Sequence, residues 1–160
     1  MPDVDPSVFR QLCGRFATGV SVVTTADARG RPVGMTANSF TSVSLVPPLV
    51  SVSVDHRADM HDHLLVAPRF IINVLEQNQE ALSRRFATDL DDKFSGVGYA
   101  VTDLGLAILN GALAWIECEH HATIEAGDHT IVIGRVVGGG TGDGLPLLYY
   151  RGGYFDLSHP

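Results

Sequence analysis

The segment Leu49-Val50-Ser51-Val52-Ser53-Val54-Asp55 alternates apolar and polar side chains without a break. A period of two puts Val50, Val52 and Val54 on one face of a strand and Ser51, Ser53 and Asp55 on the other. The segment therefore commits the chain to a sheet with one buried face. Its neighbours are of the same kind. Val20 to Thr25 is β-branched and reads as a strand, Asp27 to Pro32 as a hairpin turn containing Gly30, and Val33 to Asn38 as the returning strand. Phe70, Ile72 and Val74 mark another strand. Ala112 to Ile124 is one long strand or two short ones, Gly127-Asp128 turns, and His129 to Val137 returns. Leu147 to Tyr150 and Tyr154 to Leu157 are the last strands, and Gly138 to Gly144 reads as a flexible loop.

Helices are few. Pro6-Ser7 opens one, with Val8, Phe9, Leu12, Cys13 and Phe16 on one apolar face and Gly19 as its end. A short one is capped by Asp59 and ends near Ala67-Pro68, and a third runs from Asn78, as N-cap, through Ala87. Six or seven strands joined by hairpins, with three helices, predict a mainly β fold: a barrel with helices on its outside. The absence of alternating strand and helix argues against a dinucleotide-binding parallel sheet.

A chain of 160 residues is expected to be one domain over 1–160. Hydrophobic residues at 45% supply a core, while charged residues at 18% leave little to cover a monomer's surface, so an oligomer, a homodimer in the first instance, is expected. The net charge of −7 argues against a nucleic-acid partner, which needs a basic footprint. No apolar run is long enough to span a membrane. Met1 to Pro6 has neither the basic nor the apolar region of a signal peptide, so the expected location is cytoplasmic. The two cysteines, Cys13 and Cys118, have no metal spacing and read as small core residues.

Gly34 to Leu45 is where chemistry is expected. Thr36, Ala37, Ser39, Thr41, Ser42 and Ser44 are too small for a core strand, and Asn38 offers both a donor and an acceptor. The stretch suits a flat ligand against backbone; it suits equally a polar edge strand entering a turn. The polar face of Leu49–Asp55 either lines such a site through Ser53 and Asp55 or is solvated. Glu80 and Arg84 at i,i+4 make an ion pair, whereas Arg85 has no local partner. Other signals fail their tests. Gly138 to Gly144 lacks the lysine and the helix of a phosphate loop. His61 and His63 diverge on a helix, as do His120 and His121 on a strand, so no metal site is expected and these read as exposed histidines. His129, after a Gly-Asp turn at the start of a strand, is either a turn residue in water or a cleft residue. No nucleophile constellation is legible.

The run Phe16-Ala17-Thr18-Gly19-Val20-Ser21-Val22-Val23-Thr24-Thr25, followed by Gly34-Met35-Thr36-Ala37-Asn38-Ser39-Phe40-Thr41-Ser42-Val43-Ser44, resembles the short-chain flavin reductases, the reductase components of two-component flavin-dependent monooxygenases. Ala81 to Ala87, Asp92-Lys93-Phe94, Gly111 to Cys118, Gly127 to Ile131 and Pro146 to Tyr154 fit that family in its usual order. Leu104 to Leu109 departs from it, since members often carry a proline near that glycine. The resemblance implies the split β-barrel of flavin reductases, a homodimer with flavin near the subunit interface, and a separate monooxygenase as partner. It implies FMN or FAD as acceptor and NADH or NADPH as hydride donor. It carries the Gly-Asp-His segment onto Gly127, Asp128 and His129, with His129 near both rings and the one catalytic residue. Backbone amides of Thr36, Ala37, Asn38 and Ser39, with the Asn38 side chain, are expected at the ring's polar edge, and Thr41, Ser53 and Asp55 are further expected cofactor-binding residues. Ser53, Ser83, Arg84 and Arg85 are candidates for the phosphate, with Lys93 a weaker one, and Phe86 and Tyr154 complete the set. Tyr154 and Arg151 are the alternatives to His129 for nicotinamide. The rival readings are a split-barrel module that holds flavin for electron transfer without turning over free flavin, and a flavin-dependent enzyme acting on its own bound substrate.

Overall fold

The computed structural model describes residues 3–157; Met1 and Pro2, on which part of the signal-peptide reading rests, lie outside them. The described chain is mainly β. In order it forms α1 (Pro6–Cys13), β1 (Thr18–Gly19), β2 (Ser21–Ala26), β3 (Pro32–Ala37), β4 (Thr41–Ser44), β5 (Leu49–Asp55), α2 (Met60–Val66), β6 (Arg69–Val74), α3 (Glu80–Phe86), β7 (Tyr99–Val101), β8 (Ala107–Leu109), β9 (Ala114–Ala126), β10 (His129–Thr141), β11 (Leu148–Tyr150) and β12 (Gly153–Phe155). Seven strands make one antiparallel sheet in the order β3-β2-β6-β9-β10-β5-β4. Its two edges, β3 and β4, are consecutive in the chain. The link between them is tied to β5 by Ser39, whose Oγ accepts from Ser53 N at 3.0 Å and donates to Ser53 O at 3.2 Å. The sheet thus curls its edges together, but no backbone ladder joins β3 to β4.

β5 alternates as its sequence requires, with Val50, Val52 and Val54 buried and the polar residues half-buried. The inside of the curl is an apolar cluster of Val23, Val50, Val52, Val54, Phe70, Ile72, Cys118 and Val132, plugged by Met60 and Leu64 of α2. β2 is buried on both faces: Val22, with Val20 just before the strand, joins Leu75, Phe86, Phe94, Leu109 and Leu147 in a second cluster behind it. Burial on two faces hides the strand period and explains its continuous apolar run. Asn73, fully buried on β6, stitches these layers. Its Nδ2 donates to Val22 O at 3.1 Å and Thr24 Oγ1 at 3.2 Å, and its Oδ1 accepts from Leu109 N at 2.9 Å.

Several expectations are corrected. Gly138 to Thr141 are strand, not loop, because β10 continues beside β9. A Cβ at Gly140 would lie 2.6 Å from Trp115 Nε1 and one at Gly139 2.7 Å from Trp115 O, so only glycine admits the tryptophan there. β9 is a single strand. β1, β11 and β12 form a separate three-stranded sheet, and β7 and β8 a hairpin, so the strands outnumber the six or seven expected. α1 stops at Gly14, not Gly19, and Phe9, Leu12, Cys13 and Phe16 are exposed, so Cys13 is no core residue. Cys118 is, and burial pushes its thiol up to about 12. Glu76, not Asn78, caps the turn before α3, through a reciprocal bond with Gln79. Asp59 sits at the start of α2 but its side chain makes no cap.

Candidate functional site

The C-terminal end of β3, the link to β4, the end of β5, the start of α2, the end of α3 and the first residue of β10 meet around an open cleft of about 340 Å³. The β5–β10 register sets His129 opposite Asp55 and Ile131 opposite Ser53, which puts Ser53, Asp55 and His129 along one rim. Of the expected residues, Thr36, Ala37, Asn38, Ser39, Ser53, Asp55, Phe86 and His129 line this cleft. Tyr154 lines a smaller recess of about 190 Å³ that continues past Thr36, Ala37 and Asn38. Thr41 is exposed on β4 outside the cleft lining.

Hydrogen bonding divides these groups into committed and free. Thr36 Oγ1 donates to Ser83 O at 2.6 Å, and the buried Ser83 Oγ is 2.8 Å from Tyr154 OH, so these three hold α3 and β12 onto β3. Arg84 pairs with Glu80 at 2.7 Å, as expected, and its guanidinium lies 4.8 Å above the Tyr154 ring. Arg85 donates to the carbonyls of Lys93 at 2.6 Å, Asp92 at 3.3 Å and Ser95 at 2.7 Å. Its partners are backbone on the next loop, which no spacing rule detects. Arg85→Ala is therefore expected to lower stability by about 1–3 kcal/mol, from carbonyls left without a donor. Thermal unfolding checks this, and limited proteolysis should open residues 91–95.

The carboxylates of the rim are engaged. Asp55 accepts from Arg57 through Nη2 at 2.9 Å and the backbone N at 2.8 Å, and these bonds hold its carboxyl far below the usual range. Asp128 Oδ1 lies 2.7 Å from His129 Nδ1, and that bond lowers the Asp128 carboxyl as well. An ionised Asp128 fixes the proton on Nδ1 and leaves Nε2 without a partner among the described residues. Ser53 Oγ and the Asn38 amide likewise have none. Of the expected cleft residues, the groups left free are therefore Asn38, Ser53 Oγ and His129 Nε2. Lys93, whose Nζ makes only long bonds of 3.3 and 3.4 Å to Phe86 O and Gly34 O, adds the cleft's lysine.

Sequence reasoning missed Met60, Ala87, Thr88 and Asp89, which also line the cleft. Their positions at the start of α2 and just past α3 carry no compositional signal. Among the described residues no His, Cys, Asp and Glu converge as a metal site. His61 is not exposed as read: it is half-buried, with Nε2 3.0 Å from Thr130 Oγ1, and His56 Nε2 lies 3.0 Å from Glu125. No described helix is long and apolar enough to cross a membrane.

A sequence model described as the flavin reductase like domain matches residues 13–158. A Rhizobium meliloti (strain 1021) protein described as "Probable flavin reductase" is 46% identical over 151 residues, covering 94% of this chain but 49% of its own length. The chain thus spans about half of that relative. The reductase subunit HsaB of a flavin-dependent monooxygenase from Mycobacterium tuberculosis (strain H37Rv) is 36% identical over 94% of this chain and 82% of its own. Among solved structures, the NADH:FAD oxidoreductase SgcE6 of Streptomyces globisporus C-1027, in complex with NAD and FAD fragments, superposes with a TM-score of 0.89 at 40% identity, covering 97% of this chain and 96% of that one.

Proposed function

Because this chain belongs to the flavin reductase like domain family, we propose that it is an NAD(P)H:flavin oxidoreductase, a single domain of the split-barrel type that reduces FMN or FAD for a separate monooxygenase. The observation that carries the reading is the cleft itself. Asn38, Ser53 Oγ and His129 Nε2, each without an internal partner, converge on a slot walled by β3. β3 is an edge strand, so its outward backbone groups are free to bond a ligand. The small Ala37 lets a flat ring approach that backbone. These residues fit a flavin ring, with Asn38 and edge amides for its polar rim. The phosphate end falls to Lys93, since Arg84 and Arg85 are engaged elsewhere.

The flavin supplies acceptance of a hydride from the reduced nicotinamide, and the chain supplies orientation and exclusion of water. Asp128 holds the His129 ring by Nδ1, so that Nε2 serves as a fixed hydrogen-bonding point for the nicotinamide. Asp55 is bonded to Arg57 and held ionised, so it offers no proton. Donors from β3 and Asn38 would face the flavin's pyrimidine edge, where they would stabilise negative charge on the reduced ring. The relatives named for NADH and FAD, and as a monooxygenase subunit, support the donor, acceptor and partner.

The test is a steady-state assay crossing FMN and FAD with NADH and NADPH. Many turnovers of free flavin are expected; a single equivalent reduced per chain would select the electron-transfer module instead. Asn38→Leu is expected to raise the flavin KM about two- to tenfold through one lost hydrogen bond. We further propose a cytoplasmic homodimer. Its support is the low charged fraction and the apolar Val43, Leu45 and Val46 standing 51%, 86% and 87% exposed around the end of β4. Light scattering at micromolar concentration should return twice the chain mass.

A further inference from the structure

His129 stands at the root of a poorly supported hairpin tip. β6 pairs with β9 from Ala114 to Glu119, and beyond Glu119 β9 has β10 as its one strand partner among the described residues. β5 ends at Asp55, opposite His129. The tip from Thr123 to Asp128 is exposed throughout. Segments with so little buried apolar contact open locally at low cost. A residue that must be placed accurately against a ligand is poorly served by such a tip unless polar bonds fasten it.

Four side chains supply those bonds, on the face opposite His129. Thr130 follows His129 on β10, so its side chain points inward, where it is fully buried. Its single hydroxyl proton goes to Glu125 Oε1 at 2.9 Å, because a carboxylate only accepts. Thr130 Oγ1 then accepts from His61 Nε2, 3.0 Å away on α2. The other Glu125 oxygen takes a bond from His56 Nε2 at 3.0 Å, and the His56 backbone N–H donates to Asp128 O at 3.0 Å. The His56 and His61 rings meet edge to face, with 5.1 Å between centroids. The bonds thus run from α2 through both strands of the hairpin to the residue after β5. They close on Asp128, whose carboxylate clamps the His129 ring.

Asp62 lies 3.0 Å from His61 Nδ1, so Asp62, His61 and Thr130 stand in line as an acid, a base and a nucleophile would. That role fails, because Thr130 has no exposed surface and its proton is engaged by Glu125. The line is a strut. None of Thr130, Glu125, His61 and His56 is among the residues lining the cleft, so they reach it only through the backbone that carries His129.

We propose that Thr130, with Glu125, His61 and His56, forms a strut that positions His129. The inference rests on the reductase reading for what His129 does, and on the hairpin geometry for how it is held.

Substitutions at Thr130 separate holding from folding. Thr130→Val keeps the buried methyl and removes the hydroxyl. Thr130→Ser loses the buried methyl, and with it stability, but keeps both bonds. With whichever of NADH and NADPH the parent uses, Thr130→Val should raise the nicotinamide KM about tenfold, within the hundredfold or so that misplacement can cost, and leave the flavin KM unmoved. Thr130→Ser should melt lower yet keep the parent's KM. In a His129→Ala background, Thr130→Val should add no further loss, since both act through one group. Nitrogen-15 labelling of histidine gives a readout free of turnover. The His129 ring signals, assigned by their loss in His129→Ala, should shift or broaden in Thr130→Val and not in Thr130→Ser. Glu125→Ala, at a side chain 71% exposed, cuts the strut without touching the core and should move the same KM and the same signals, so the test survives a Thr130→Val chain that does not fold. A KM that follows the melting temperature across the Thr130 variants, a loss additive with His129→Ala, or parent-like KM and ring signals in Glu125→Ala would overturn the proposal. In a parent that reduces no flavin, the reductase reading falls and the ring signals decide the strut. A parent that turns over flavin, with KM and ring signals unmoved in the variants, keeps the reading and loses the strut.

Discussion

His129→Ala is expected to lower kcat/KM for the nicotinamide by up to about a hundredfold while leaving flavin affinity nearly unchanged. The size follows from the residue's role as a positioner. The ring is clamped on one side by Asp128 at 2.7 Å, and its strand pairs His129 with Asp55, so Nε2 has little freedom. Misplacement of a reacting group costs orientation, not driving force. A deuterium label at nicotinamide C4 should therefore still slow the variant. A general base would instead add an ionisation near the histidine pKa to the pH profile, one that vanishes in His129→Ala, and that result would replace positioning with proton transfer. Asp128→Asn gives an independent handle. It removes the charge that fixes the tautomer and is expected to raise the nicotinamide KM in the same direction, by less.

Asn73→Leu is expected to cost about 2–5 kcal/mol of folding stability, the largest loss anticipated from one side chain here. The residue is fully buried, and one amide serves β2, β6 and β8 together. Leucine matches its volume closely but leaves Leu109 N–H buried without a partner, which pays the desolvation of an unmade bond, while Val22 C=O keeps its place in the β2–β6 ladder. Thr24 keeps its bond to Ala107 O at 2.6 Å, so the β7–β8 hairpin is loosened and not released. For a chain of this size the melting temperature should fall by roughly 5–15 °C. Hydrogen exchange should show Leu109 N–H losing protection first. A change within 0.5 kcal/mol in denaturant titration would mean water enters and replaces the amide, and would end the claim that Asn73 stitches the layers.

These two residues differ in how far they can be read from the chain alone. The local context of His129, a Gly-Asp turn followed by a strand, left it open between water and a cleft, and the ordered resemblance favoured the cleft. Asn73 sits inside an apolar run, and nothing within that run says that three strands meet at its amide. The same contrast holds across the site. Ala37, Asn38, Ser39, Ser53 and Asp55 line the cleft; alternation and a stretch of small residues marked them as candidates but left a solvated edge strand equally open, and the resemblance chose between the two. Arg85 was singled out for lacking a local partner, and its partners proved to be carbonyls eight and ten residues on. Ser83 was a phosphate candidate by residue type, yet it is buried and bonded to Tyr154.

Local periodicity by itself determined that the chain is mainly β with few helices, where β2, β3, β5 and β6 run and where β10 begins, and which face of β5 is buried. Those properties depend on side-chain order along one strand, and a strand's period is visible in its own residues. Which strands pair, that β3 and β4 become the two edges of one curled sheet, that glycines 138–140 continue β10 over Trp115, and that the apolar face of α1 stays outside the core were decided only by the tertiary structure. Each depends on what a distant segment places opposite, a tryptophan edge, a carbonyl or a cavity, and such contacts leave no mark in the spacing of nearby residues. The division of the site into engaged and free polar groups belongs to that second kind. It decided which of the expected residues remain available to a ligand.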